Sequence, residues 1–202
     1  MNQRICRLVT AGLLVALLVP GLGGCFFTPR TPAEPSGGTV VYLPRSSPQN
    51  VWTNAERSLQ NKDAFGWGEA INDAFTYFPD DAALIDFPGL ADWNKTKEMT
   101  FINAFYNADV TIQPQMTDDD FVIPEVAGTE VTWENIIYYI RVTSNVDDSV
   151  TKYRASAEIT FKLDGSFWYI SSWRDIGGEA DPDNETIILP SMGVLRGTFG
   201  SK

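Results

Sequence analysis

The 202-residue sequence has no histidine and only two cysteines. The absence of histidine excludes a Ser-His-Asp triad, an imidazole general base and most zinc sites. Basic residues are scarce as well, 15 Lys and Arg against 26 Asp and Glu, for a formal net charge of −11. Affinity for nucleic acid comes mainly from neutralising phosphates, so nucleic acid is not an expected partner of this polyanion. The plainer consequence of the charge is solubility. Long apolar runs are missing too. The longest, Leu8 to Val19, has about a dozen residues, whereas a helix needs roughly 20 to cross a hydrocarbon core of about 30 Å, which argues against a permanent transmembrane helix.

What that run does have is a basic leader, with Arg4 and Arg7 and no acid between Met1 and Leu8. These are the n-region and h-region of a signal peptide. Leu22-Gly23-Gly24-Cys25 follows and resembles the lipobox of bacterial lipoproteins: an aliphatic residue, two small ones, then the cysteine that is acylated and becomes the new N-terminus. The resemblance implies a signal peptide over 1–24, a palmitate-type lipid on Cys25 and a cell-envelope address. Two or more acyl chains, at about 0.8 kcal/mol per buried CH₂, hold a domain to a membrane stably. Phe26 after the cysteine, in place of Asp, resembles outer-membrane sorting, facing the periplasm or the cell surface in a cell with two membranes. Cys6 leaves with the signal, so Cys25 is the only mature thiol and no internal disulfide forms. Removing 24 of 202 residues leaves 178, from a chain that is 44% hydrophobic, enough to hold one unstapled domain together by burial.

Residues 25–46 are rich in Pro, Gly, Ser and Thr and read as a flexible tether, in which Val40-Val41-Tyr42-Leu43 is an apolar patch able to dock on the domain. The domain itself spans 47–202. Ser47-Pro48 is an N-cap followed by proline at the first helical position, and Val51, Ala55 and Leu59 make one face of a helix ending near Asn61. Asp63 caps a shorter helix through Ile71, with Phe65, Gly68 and Ile71 on one face. Ala74 to Phe78 reads as a strand and Ala82 to Phe87 as extended. A third helix starts at Asp92 or Asn94 and carries the stripe Met99, Ile102, Phe105, Tyr106. Strands then follow at 110–113, 121–123, 131–143, 151–163 and 167–176.

The clearest strand alternates Tyr153, Ala155, Ala157, Ile159, Phe161 and Leu163 with polar neighbours, one face packed and the other wet. Asp164-Gly165 supplies hairpin chemistry and joins it antiparallel to 167–176. Two registers remain open. A two-residue Asp164-Gly165 loop sets Phe161 against Trp168, Ile159 against Ile170, Ala157 against Ser172 and Ala155 against Arg174 on the packed face. A three-residue loop with a bulge at Gly165 brings Tyr169, Ser171, Trp173 and Asp175 there instead.

Helices, a short strand, another helix, then long antiparallel strands ending in Trp168-x-Ile170-x-x-Trp173-x-Asp175 resemble the cone-shaped nuclear transport factor 2-like superfamily over roughly Ser47 to Ile176. The Ser47-Pro48-Gln49-Asn50 opening, Asp92-Trp93-Asn94 and the tryptophan strand are similar to those of uncharacterised bacterial lipoproteins of that fold. The resemblance implies an α+β fold, N-terminal helices packed on a curved antiparallel sheet enclosing a pocket. Members use that pocket for catalysis, small-molecule binding or partner docking, so the fold does not decide the function. Polyketide cyclases and ketosteroid isomerases of the superfamily work with acid and base side chains inside the cone. Here, without histidine, the raw material for such chemistry is Asp86, Asp175, Tyr138, Tyr139 and Tyr169.

No catalytic residue is assigned. The candidate pocket, taken from the first register, consists of Arg174 facing the small residues Ala155, Ala157 and Ser172, with Tyr139 and Trp168, a place for an anionic ligand. Acidic clusters such as Asp118-Asp119-Asp120 read as solvated loops; 181–185 alternates ligands, but Thr186 stands where a calcium loop needs glycine. No metal or cofactor is implied. The leading expectation is a lipid-anchored binding module for a small molecule or envelope partner. The alternatives are a small isomerase or cyclase using Asp and Tyr, and a homodimer formed through an open sheet face carrying Trp133, Ile137 and Tyr139.

Overall fold

A computed structural model describes residues 40–200. The signal segment, Cys25 and the tether up to residue 39 lie outside the described residues. The docked part of the lead begins at Val41, earlier than the expected boundary at Ser47. The Val41 carbonyl accepts from Arg57 (2.6 Å), Tyr42 donates to Asp63 (2.6 Å), and the Leu43 backbone exchanges two hydrogen bonds of 2.8 Å with the Asn54 amide.

Helix α1 spans Pro48–Asn61, with the Ser47 hydroxyl accepting from the Asn50 backbone and Val51, Ala55 and Leu59 fully buried. Helix α2, Ala64–Ala70, is capped by Asp63. It turns Trp67 and Ala70 inward, while Phe65, expected on the packed face, is 76% exposed. The larger indole takes the inward position because the cost of leaving it in water is greater. Strand β1, Ile71–Phe78, runs into Pro79.

Asp81–Asp86, expected as extended chain, is instead helix α3. Asp80 accepts from the Ala83 backbone at 2.9 Å and Asp81 sits in the first turn, where its charge favours the helix N-terminus. A 3-10 turn, Pro88–Asp92, and the two-residue strand β2, Trp93–Asn94, lead to helix α4, Lys95–Tyr106, whose cap is Asn94. Helix α4 buries Glu98 together with Phe101, Ile102 and Phe105.

The remaining strands are β3, Val110–Gln115; β4, Glu130–Ser144; β5, Val150–Asp164; β6, Phe167–Gly178; β7, Ala180–Asp181; and β8, Asn184–Ile188. No strand forms at 121–123, where Phe121 packs its ring 5.5 Å from that of Trp133. The main sheet runs β2-β1-β6-β5-β4-β3, and β1 lies parallel to β6, so the sheet is mixed, with every other pairing antiparallel. The expected tail folds back as the β7–β8 hairpin and helix α5, Met192–Gly200.

Neither expected register of the β5–β6 hairpin forms, although each names the inward-facing residues of half of β6. The loop does have two residues, but they are Gly165 and Ser166, with Gly165 at φ +61° and Asp164 opposite Phe167. Phe161 therefore faces Ile170. The register then shifts at Ser171, so that Ile159 faces Trp173 and Ala157 faces Asp175. One bulge turns Trp168 and Ile170 inward before it and Trp173 and Asp175 inward after it. A second bulge, at Asn135 with φ +58°, acts on β4 in the same way. Trp133, Ile136, Tyr138 and Ile140 point to the core, which leaves Ile137 and Tyr139 on the outer face without Trp133.

Helix α5 lies against the rest of the domain through glycines. A Cβ at Gly193 would stand 2.6 Å from the Ala83 Cβ and 2.7 Å from the Tyr77 oxygen, and one at Gly197 would run into the Phe87 ring. A Gly197→Val variant is therefore expected to lose about 1–3 kcal/mol through overpacking, read as a lower urea midpoint with unchanged slope.

Candidate functional site

Two carboxylates are buried inside the cone. Asp175, brought inward by the β6 bulge, is 3% exposed. Its Oδ1 accepts from the Tyr138 hydroxyl (2.9 Å) and the Trp173 indole (2.8 Å), and its Oδ2 from the Tyr77 hydroxyl (2.6 Å) and the Gly193 backbone (3.2 Å). Burial pushes this carboxyl above its ordinary value, while Arg196 and the three side-chain donors pull against it. Desolvation first, and then the Asp175 charge, hold the Tyr77 and Tyr138 phenols well above theirs.

Glu98 on α4 is fully buried, and so is Arg196 on α5. They form a two-pronged pair, Arg196 Nε to Oε2 at 2.8 Å and Nη2 to Oε1 at 3.0 Å, and the Trp93 indole adds a third bond to Oε2 at 2.6 Å. The Arg196 guanidinium lies 4.0 Å from the Tyr77 ring centre and 4.9 Å from that of Trp173. Burial alone would weaken its charge, but Glu98 beside it more than restores it, and the net shift is upward. Arg196 Nη1 is buried without a partner.

The pocket expected around Arg174 does not form. The bulge at Ser171 sends Arg174 to the outer face, where its side chain is 50% exposed, 3.5 Å from Glu158 and stacked on Phe78. Ala155, Ala157 and Trp168 face the core, and Ser172 is half-buried beside the bulge. Tyr139 is on the outer face, lining a recess of about 390 Å³ with Ile137, Arg154 and the Asp118–Asp120 loop. Of the side chains considered for acid and base chemistry, the fold brings Asp175 and Tyr138 together. Asp86 is exposed, and Tyr169 lies under the Arg45 guanidinium.

Tyr77, Glu98 and Arg196 are not among the residues that the sequence pattern singles out. Glu98 did leave a signal, because it precedes Phe101 and Ile102 by three and four residues and so falls on the apolar face of its helix. Arg196 left only the oddity of a cation inside a Gly-rich apolar tail. Among the described residues, no cluster of acids or cysteines could hold a metal ion, and no helix is long and apolar enough to cross a membrane.

No protein-family model matches the chain, and no curated protein sequence matches it. Solved structures do. A conserved protein from Planctomyces limnophilus is 14% identical over 63% of this chain and 91% of that one, with a TM-score of 0.52. A structure described as a putative aromatic ring hydroxylase from Novosphingobium aromaticivorans is 7% identical over 73% and 92%, with a TM-score of 0.53. A nuclear transport factor 2-like protein from Cytophaga hutchinsonii is 9% identical over 63% and 93%, with a TM-score of 0.45. At such identities the likeness is one of fold. The chain shares with the first two of these structures an α+β fold in which helices pack on a curved mixed sheet.

Proposed function

We propose that this protein is a membrane-anchored bacterial lipoprotein whose cone domain binds a small molecule or an envelope partner without turning it over. The observation that carries the non-catalytic part is the filled interior. The buried acid and its two tyrosines are the groups that could do acid–base work. Four donors converge on Asp175, the Gly193 N–H shared with the Ser191 hydroxyl, and α5 covers them with Met192, Leu195 and Arg196, none of which is exposed. A general acid or base must come within hydrogen-bond reach of a substrate proton, and with α5 docked that space belongs to the protein's own helix.

The anchor rests on the signal-like leader and the Leu22-Gly23-Gly24-Cys25 motif. A Cys25→Ser variant is expected to leave the membrane fraction and to melt at the wild-type temperature, because the residue precedes the packed domain; membrane retention of the variant would sink the lipoprotein reading. Mass spectrometry of molecules copurifying with the domain tests the binding part.

A second reading, a small isomerase or cyclase, is favoured by one feature, the raised Asp175 carboxyl between two phenols. It requires α5 to leave the cone. Turnover that survives Asp175→Asn would remove Asp175 from that role.

A further inference from the structure

We propose that the recess beneath α5 is a binding site for a ligand bearing a guanidinium group, and that Arg196 occupies it as an intramolecular ligand. The inference rests on the binding reading above and gives it a site and a ligand class.

The cage has the form of a cation-recognition site. A planar guanidinium is gripped in fork geometry by Glu98, Glu98 is oriented by the Trp93 indole, and the cation's faces meet Tyr77, Trp173 and, at 5.8 Å, Phe101. Paired oxygens and aromatic faces are what distinguish guanidinium recognition from that of a compact ammonium.

The charge count points the same way. Glu98 and Asp175 are both buried, and Arg196, the one buried cation among the described residues, bonds Glu98 while its charge pulls on the Asp175 carboxyl. With Arg196 withdrawn, two desolvated acids would need another cation or a proton.

The element carrying Arg196 is suited to leaving. Helix α5 has nine residues with glycine at 193, 197 and 200. Glycine is a poor helix former, and a helix this short does not persist in water alone, so docking and folding of α5 are one event. It follows the exposed strand β8 through Leu189–Ser191, whose backbone is held by Glu179 and Arg154 at 2.8 and 3.0 Å and would be the hinge. The fit is also incomplete, since Arg196 Nη1 finds no acceptor, a shortfall that a ligand with different substituents can avoid.

The test uses the full chain with Arg196→Ala and N-ethylguanidinium at millimolar concentration as the probe. The expected result is a rise in melting temperature of roughly 4 °C or more, absent with the neutral isostere N-ethylurea and absent when Glu98→Gln is added. A folded Arg196→Ala that ignores ethylguanidinium, or that responds equally to ethylurea, overturns the proposal. Should Arg196→Ala not fold, native-state hydrogen exchange of the wild type decides. The Leu195, Arg196 and Gly197 amides are expected to exchange about a hundredfold faster than those of Ala157 and Ile159, and faster still with argininamide. Exchange of α5 at the β5 rate, unmoved by argininamide, overturns it. Failure of the rescue leaves the outer-face recess to the binding reading, whereas rescue with no copurifying ligand counts against that reading alone.

Discussion

Replacing Arg196 with methionine is expected to destabilise the domain by about 3–5 kcal/mol, because it leaves Glu98 charged, buried and unpaired. Methionine fills much of the volume of the arginine stem, so the loss comes mainly from the carboxylate and not from a cavity. The control is the double variant Glu98→Leu with Arg196→Met. Removing both partners takes away the uncompensated charge along with the attraction, and the double variant should recover most of the loss. Urea unfolding of wild type, both single variants and the double variant measures the coupling. Simple additivity of the two single losses would show that Glu98 and Arg196 do not act as the buried pair described above.

The second large effect is at Asp175. Asp175→Asn keeps the shape and offers one oxygen to two of the four donors, but its amide NH₂ then confronts the other two. A tyrosine hydroxyl can turn to accept from it; the Trp173 indole N–H on one side and the Gly193 N–H on the other cannot, and only Gly193 has a second acceptor, the Ser191 hydroxyl at 3.0 Å. Leaving a buried donor unmade costs about 1–3 kcal/mol, and the end of α5 that begins at Met192 should loosen first.

The pH dependence has a definite sign. Burial raises the folded carboxyl of Asp175 above its ordinary value of about 3.9, so ionisation is penalised in the folded state. The stability this group contributes is complete below the ordinary value and is lost as pH rises through the raised one. Wild type should therefore hold its widest advantage over Asp175→Asn in acid and a narrower, constant one near neutrality. Paired urea titrations across the acid range check this, and a gap that widens with rising pH would contradict the raised carboxyl.

Much of the fold was legible because its signals are local. Ser47-Pro48 and Asp63 name their helices through caps that need only the next three residues, and the alternation along β5 gives its buried face without reference to any partner. The misreadings have physical causes as well. Ala82 to Phe87 lacks a helical stripe long enough to outweigh its short apolar run, and the Asp80 cap decided it. Phe65 and Trp67 both suit a buried face, and only packing chose between them.

The candidate site was legible in part. Asp175 and Tyr138 were identified by residue type, but their meeting depends on two bulges, at Ser171 and Asn135, that no turn signal announces. A one-residue slip exchanges the two faces of a strand. The same slip removed Arg174 from the pocket expected around it and brought Asp175 in.

The sequence by itself determined the lack of histidine chemistry, the acidic surface, the lipoprotein-like leader and the order of helices before strands, because each is written in composition or in neighbours a few residues apart. Tertiary structure alone decided what fills the cone. Glu98 and Arg196 are separated by 98 positions, and only the return of the chain through α5 makes them partners and seats the one buried cation among the described residues against Tyr77 and Trp173.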